Sequence, residues 1–144
     1  EDLMPIDENV YYPPGHGDLF YSIQRSGLLD ELIGEGKEYL FVSNVDNLAA
    51  TVDLRILQYC AAEGIDFCME VTNKTRADVK GGTLVNVDGR LTLLEIAQVP
   101  SSKKSEFTSI RKFKIFNTNS LWINLRALKE VLREPLELDI IQNK

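Results

Sequence analysis

The chain has 144 residues, 44% hydrophobic and 26% charged, a balance that suits one globular domain with a real core. Its formal charge of -6 excludes general nucleic-acid binding, which needs a basic surface, but still allows one nucleotide held by local cations. No apolar run approaches the roughly 20 residues of a membrane span, and the acidic start Glu1-Asp2-Leu3 is unlike a secretory signal.

Cys60 and Cys68 match no metal spacing and read as buried free thiols in a reducing, cytoplasmic compartment. Position 1 is not Met, so a processed or excised chain is expected. Residues 1–12 have no clear period and read as an extended lead-in. Tyr11-Tyr12-Pro13-Pro14-Gly15-His16-Gly17-Asp18 is a loop, stiffened by two prolines and freed around His16 by two glycines. It is either a ligand-approaching loop or an ordinary turn before a helix that Asp18 caps. That helix covers 18–26 and stops at Gly27, and a second covers 28–33, closed by Gly34 and Gly36.

Residues 39–44 form the expected central strand. Its apolar run ends abruptly in Ser43-Asn44-Val45-Asp46-Asn47. A carboxylate at a strand's carboxyl end can hold a metal ion against phosphate oxygens. The alternative is that Asp46 and Asn47 cap the next helix. That helix is expected over 51–62, with Val52, Ile56, Tyr59 and Cys60 on one face, followed by a strand over 66–72. Strand, helix and strand in this order predict a right-handed βαβ unit with parallel strands.

Residues 73–82 are polar, either a solvated loop or a phosphate- or sugar-facing loop with Lys74, Arg76 and Lys80 as cations. Residues 83–87 and 90–96 flank Asp88-Gly89, a strong hairpin signal. Glu95 stands out late in that apolar run, where a carboxylate costs free energy unless paired or facing a ligand. A short amphipathic helix is expected over 101–111, with Phe107 and Ile110 inward. A strand over 113–117 then ends in polar Asn117-Thr118-Asn119-Ser120. Residues 121–134 become helical, with Leu125, Leu128, Val131 and Leu132 on one side; Pro135 breaks the helix before a last strand over 136–141.

Asn44, Asp46, Glu95, Asn117 and Asn119 thus fall at or near strand ends. Amides and a carboxylate suit sugar hydroxyls, and Asp46 with a divalent cation suits a phosphate. Together they point to a nucleotide sugar or sugar phosphate. No glycine-rich phosphate cradle of the P-loop or dinucleotide type occurs, and a single histidine makes a hydrolase triad a poor reading.

Five stretches carry a resemblance. They are Pro13-Pro14-Gly15-His16-Gly17-Asp18, Phe41-Val42-Ser43-Asn44-Val45-Asp46-Asn47-Leu48, the run from Met69 to Leu84 with Lys80-Gly81-Gly82-Thr83, Leu94-Glu95-Ile96-Ala97-Gln98-Val99-Pro100, and Phe116-Asn117-Thr118-Asn119-Ser120-Leu121-Trp122. The chain resembles the eukaryotic UDP-glucose pyrophosphorylases, also called UTP–glucose-1-phosphate uridylyltransferases, over nearly its whole length. The resemblance implies an α/β, GT-A-like nucleotidyltransferase fold, with a mixed, mostly parallel sheet and helices on both faces. It implies formation of UDP-glucose and pyrophosphate from UTP and glucose 1-phosphate, with magnesium.

By the same resemblance, Gly15 meets the uracil through its backbone and His16 lies near the sugar-linked phosphate as a catalytic residue. Asn44 and Val45 contact the nucleotide sugar, and Asp46 is both catalytic and the magnesium ligand. The Gly81-Gly82 backbone, Glu95 and Asn119 hold glucose hydroxyls, with Asn117 supporting them. The sugar phosphate oxygen is already an anion, so no general base is required. Catalysis is metal-assisted in-line attack on the α-phosphate, by positioning and charge neutralisation. The family's glycine-rich nucleotide loop and a later lysine are not in these residues. The expectation is therefore a central segment of a catalytic domain, little active alone and open to self-association through unpaired strand edges. The alternatives are a pyrophosphorylase for another UDP-sugar and a non-catalytic nucleotide-sugar binding fragment.

Overall fold

The computed structural model describes residues 15–75 and 81–136. The expected lead-in over 1–12, Arg76 and Lys80, and all of the last expected strand but Leu136 lie outside these residues.

The two opening helices form as the sequence predicts, α1 over Asp18–Arg25 and α2 over Leu28–Gly34. Asp18 is not the cap of α1: Gly17 takes that position, and the Asp18 carboxylate accepts a hydrogen bond from the Ser22 hydroxyl at 3.0 Å. Strand β1 spans Tyr39–Val42, helix α3 Leu54–Glu63 and strand β2 Phe67–Asn73. Helix α3 starts later than its apolar pattern suggests because Asp53 caps it, accepting from Arg55 N at 2.8 Å. Neither Asp46 nor Asn47 has that role. Of the four residues expected on its inward face, Cys60 is buried, whereas Val52 and Tyr59 are exposed. The Tyr39 hydroxyl donates to the carbonyls of Cys60 and Ile65, both at 2.9 Å, and so ties the end of α3 to β1.

The hairpin is made of β3, Thr83–Val87, and β4, Arg90–Leu94. Asp88 and Gly89 both take positive φ, 51° and 85°, the requirement of a type I′ turn whose twist matches the strands. The expected helix over 101–111 is shorter: a 3-10 turn at Ser101–Lys103 leads into α4, Lys104–Phe107. Phe107 is buried as expected, but Ile110 is exposed.

The largest departure is β5, Ile115–Asn124. The sequence predicts a strand ending at Asn117, yet the strand runs straight through the polar stretch Asn117 to Ser120 and only then gives way to α5, Leu125–Val131. Asn124 caps α5, its side-chain oxygen accepting from Arg126 N and Ala127 N. Leu125, Leu128 and Leu132 are buried against Ile23, Leu29 and Ile123 to form the main core, while Val131 is exposed.

Strand order is β1-β5-β2, with β3-β4 as a separate pair. All pairings among the described residues are antiparallel, not mostly parallel as expected. Strands β1 and β2 do point the same way, but β5 lies between them and opposes both. Residues 121–124 pair with β1 through one edge while 121–123 pair with β2 through the other, so a chain-distant strand takes the central place. Strand β1, expected to be central, is an outer strand. The coarse architecture is a mixed α/β fold. No helix among the described residues is long and apolar enough to cross a membrane.

Candidate functional site

A cavity of about 590 Å³ opens between α1, the sheet and the hairpin. Leu19 and Phe20 of α1, Met69 of β2, Leu121 of β5 and Leu84 and Leu93 of the hairpin give it an apolar body. Its polar groups are His16, Asn117 and Asn119. Apolar walls with a few placed polar groups are the usual build of a small-molecule site.

The two asparagines owe their placement to a bulge. Met69 pairs with Leu121 and Val71 with Asn117, so Glu70 alone on β2 faces Thr118, Asn119 and Ser120 on β5. The extra residues push outward, and Asn119 takes φ 57° at the centre. Asparagine tolerates this left-handed conformation better than other non-glycine residues. The pair is locked internally: Asn117 Nδ2 donates to Asn119 Oδ1 at 2.7 Å, and Asn119 N donates to Asn117 Oδ1 at 2.9 Å.

Gly82 and Glu95 adjoin this pair. Asn117 N donates to Gly82 O at 3.0 Å. A methyl group on Gly82 would overlap the Glu95 carboxylate and lie 2.9 Å from Leu93 Cδ1; one on Gly81 would overlap the Phe116 ring. A side chain at either position would thus force its neighbour to shift, so these glycines serve close approach and not backbone freedom. Glu95 follows the end of β4 and is not inside the strand. Its carboxylate caps the 3-10 turn Ile96–Gln98, and its own N–H donates to Gln98 Oε1 at 2.9 Å. Burial pushes the Glu95 carboxyl above its ordinary value. A half-buried carboxylate with spare lone pairs beside Gly82 can accept further hydrogen bonds from hydroxyl groups.

His16 and Asn44 meet although 28 positions apart: the His16 Nε2–H donates to Asn44 Oδ1 at 2.7 Å. Asn44 also lines a second cavity of about 430 Å³, with Asn47, Glu70, Thr118 and Ser120, on the other face of the sheet. Gly15, Val45 and Asp46 line neither cavity. All three are exposed, Val45 and Asp46 on the turn that follows β1. Among the described residues, no three His, Cys, Asp or Glu side chains gather as a metal site. An exposed carboxylate such as Asp46 still fits magnesium by donor type. That ion keeps several waters and takes one or two carboxylates plus substrate phosphates.

Lys74 is turned inward. Its ammonium is buried, donates to Phe107 O at 3.2 Å and lies 4.9 Å from the Phe107 ring centre. The sequence reading passed over Glu70, Thr118 and Trp122, which brace the bulge. The one signal was a carboxylate, Glu70, in the middle of the apolar run Phe67 to Val71.

The family model described as UTP--glucose-1-phosphate uridylyltransferase matches residues 1–144. The chain belongs to this family. The UTP--glucose-1-phosphate uridylyltransferase of Encephalitozoon cuniculi is 62% identical over 149 residues, covering 100% of this chain and 30% of that protein. The crystal structure of a UDP-glucose phosphorylase from Trypanosoma brucei has a TM-score of 0.87 at 41% identity, covering 93% of this chain and 33% of that one. A UDP-glucose pyrophosphorylase mutant from Leishmania major, crystallised in complex with UDP-glucose, has a TM-score of 0.77 at 44% identity over 85% of this chain and 28% of that one. The chain thus spans about a third of the length of the uridylyltransferases it matches.

Proposed function

We propose that this chain supplies the sugar- and metal-binding side of an enzyme that forms UDP-glucose and pyrophosphate from UTP and glucose 1-phosphate. The observation that carries the proposal is the β5 bulge, which sets Asn117 and Asn119 beside His16 in one cavity. Family membership and the UDP-glucose complex of the Leishmania relative support the substrate class. The finer fold proposed is GT-A-like, as the central part of a nucleotidyltransferase catalytic domain.

In this reading Asn119 and Glu95 receive the glucose hydroxyls, with Asn117 and the Gly81-Gly82 backbone closing around them. His16, held by Asn44, lies against the sugar-linked phosphate, and the Gly15 backbone meets the uracil. Asn44 and Val45 contact the nucleotide sugar, and Asp46 lies at the phosphates. The sugar phosphate oxygen attacks the α-phosphate in line, and these groups orient it; no base is needed because that oxygen is already an anion. Asp46 would hold magnesium, which would neutralise phosphate charge when bound. The setting we propose is cytoplasmic, in keeping with the free thiols of Cys60 and Cys68. Self-association is proposed through β1 and β2, the outer strands of the sheet.

Asp46→Ala in the complete polypeptide tests the proposal. Metal-dependent turnover should fall about a thousandfold, as loss of several kcal/mol of charge stabilisation requires, with circular dichroism and melting unchanged. Turnover close to that of the parent would overturn the assignment. UDP-glucose binding without pyrophosphorolysis in the parent would favour a binding fragment instead, and preference for another sugar 1-phosphate would reassign the substrate.

A further inference from the structure

We infer that Glu70 is a positioning residue for the sugar side of this site, holding from the opposite face of the sheet the bulge that presents Asn119. The inference rests on the uridylyltransferase reading and deepens it.

Glu70 is the single residue that faces the three-residue excursion of β5. Its backbone grips that excursion, and its side chain grips Trp122 just beyond it. Its carbonyl accepts from the Thr118 hydroxyl at 2.7 Å, one residue before Asn119. Its carboxylate accepts from Trp122 Nε1 at 2.7 Å, three residues after Asn119. The Thr118 oxygen in turn accepts from Ser120 N at 3.3 Å, so the hydroxyl bridges the excursion itself. Trp122 is buried and packs on Phe41 of β1, ring centres 4.5 Å apart. The indole is thus a fixed post, and Glu70 ties the bulge to it.

The bulge needs such ties. Asn119 sits at a positive φ, which costs free energy unless the surroundings impose it. A three-to-one mismatch also leaves backbone groups without ladder partners. If Glu70 let go, the excursion could relax, and the Asn119 amide would lose the position within the cavity that its positive φ gives it. Glu70 lines the second cavity and not the one that holds Asn117 and Asn119, so it acts on the sugar side through the bulge and not by contact.

The test uses the complete polypeptide and steady-state kinetics with glucose 1-phosphate and UTP varied separately. Glu70→Ala should raise the KM for glucose 1-phosphate about tenfold, the worth of one well-placed hydrogen bond, with the KM for UTP little changed. Glu70→Gln keeps an acceptor oxygen for Trp122 and should restore the parent KM. Thr118→Val, which removes one tie without burying a charge, should raise the same KM. Adding Glu70→Ala to Asn119→Ala should give no further rise, because the positioned group is already gone.

A purely structural Glu70 would lower the melting temperature and the active fraction while leaving the glucose 1-phosphate KM of the folded protein unchanged, or raise both KM values alike, and its effect would add in full to that of Asn119→Ala. Any of these results overturns the inference. If Asn119→Ala raises the glucose 1-phosphate KM and neither Glu70→Ala nor Thr118→Val does, the inference alone falls. If Asn119→Ala leaves that KM unchanged, the sugar-site reading falls and the inference with it.

Discussion

The His16 imidazole donates to the Asn44 side-chain oxygen at 2.7 Å across 28 positions of sequence. This contact joins the loop before α1 to the turn after β1, two segments that carry expected ligand contacts. It also fixes the imidazole, because Asn44 Oδ1 can only accept and Nε2 must then carry the proton. Nδ1 is left for other partners.

The contact predicts coupled mutants. His16→Ala and Asn44→Ala should each lower kcat/KM, and the double mutant should lose less than the sum. The coupling should be about 0.5–3 kcal/mol, the range for residues in direct contact. A double-mutant cycle on kcat/KM measures it, and strict additivity would show that the bond has no part in turnover.

Gly82→Ala tests close packing. A methyl group there would displace the Glu95 carboxylate and crowd Leu93. Overpacking should destabilise the protein by about 1–3 kcal/mol and raise the KM for glucose 1-phosphate. Urea unfolding at unchanged m-value checks the first effect. A stable variant with parental KM would show that Glu95 can move aside without cost.

Glu95 also predicts a pH dependence. Burial raises its carboxyl above the ordinary 4.5. Between 4.5 and the raised value, the folded protein keeps a proton that the unfolded chain has lost. The group's contribution to stability therefore falls as pH rises through that interval, and the cost is complete above it. Glu95→Gln keeps an acceptor for the Gln98 N–H but has no charge to bury. The variant's melting temperature, relative to the parent, should be higher above the interval than below pH 4.5, while its affinity for glucose 1-phosphate drops. Parallel melting curves across pH would refute the burial argument.

Lys74 should behave as a structural residue. Lys74→Ala removes its bond to Phe107 O and its contact with the Phe107 ring. The expected loss is about 1–3 kcal/mol of stability, with the UTP KM within about twofold of the parent once folded protein is counted. A large UTP KM increase at parental stability would return Lys74 to the phosphate site.

The features legible in the sequence were local ones. Asp88-Gly89 named its hairpin because two positive φ angles are needed there and those residues accept them. Gly27 and Gly64 ended their helices, and apolar spacing found the buried Leu125 and Leu128. The site residues were legible in type, as amides and carboxylates breaking apolar runs, and through the resemblance carried by their motifs. Tertiary structure decided what depends on partners far along the chain. Residues 117–120 look like a strand's end because polar residues rarely interrupt a central strand. They continue the strand because Glu70, Thr118 and Trp122 supply the bonds that a bulge lacks. Sheet direction was also decided at a distance: β5, pairing through both edges of residues 121–124, came between β1 and β2 and turned an expected parallel pair into an antiparallel sheet. Lys74 could be placed only by its partner, since a lysine's sequence context does not say whether its stem runs inward or out.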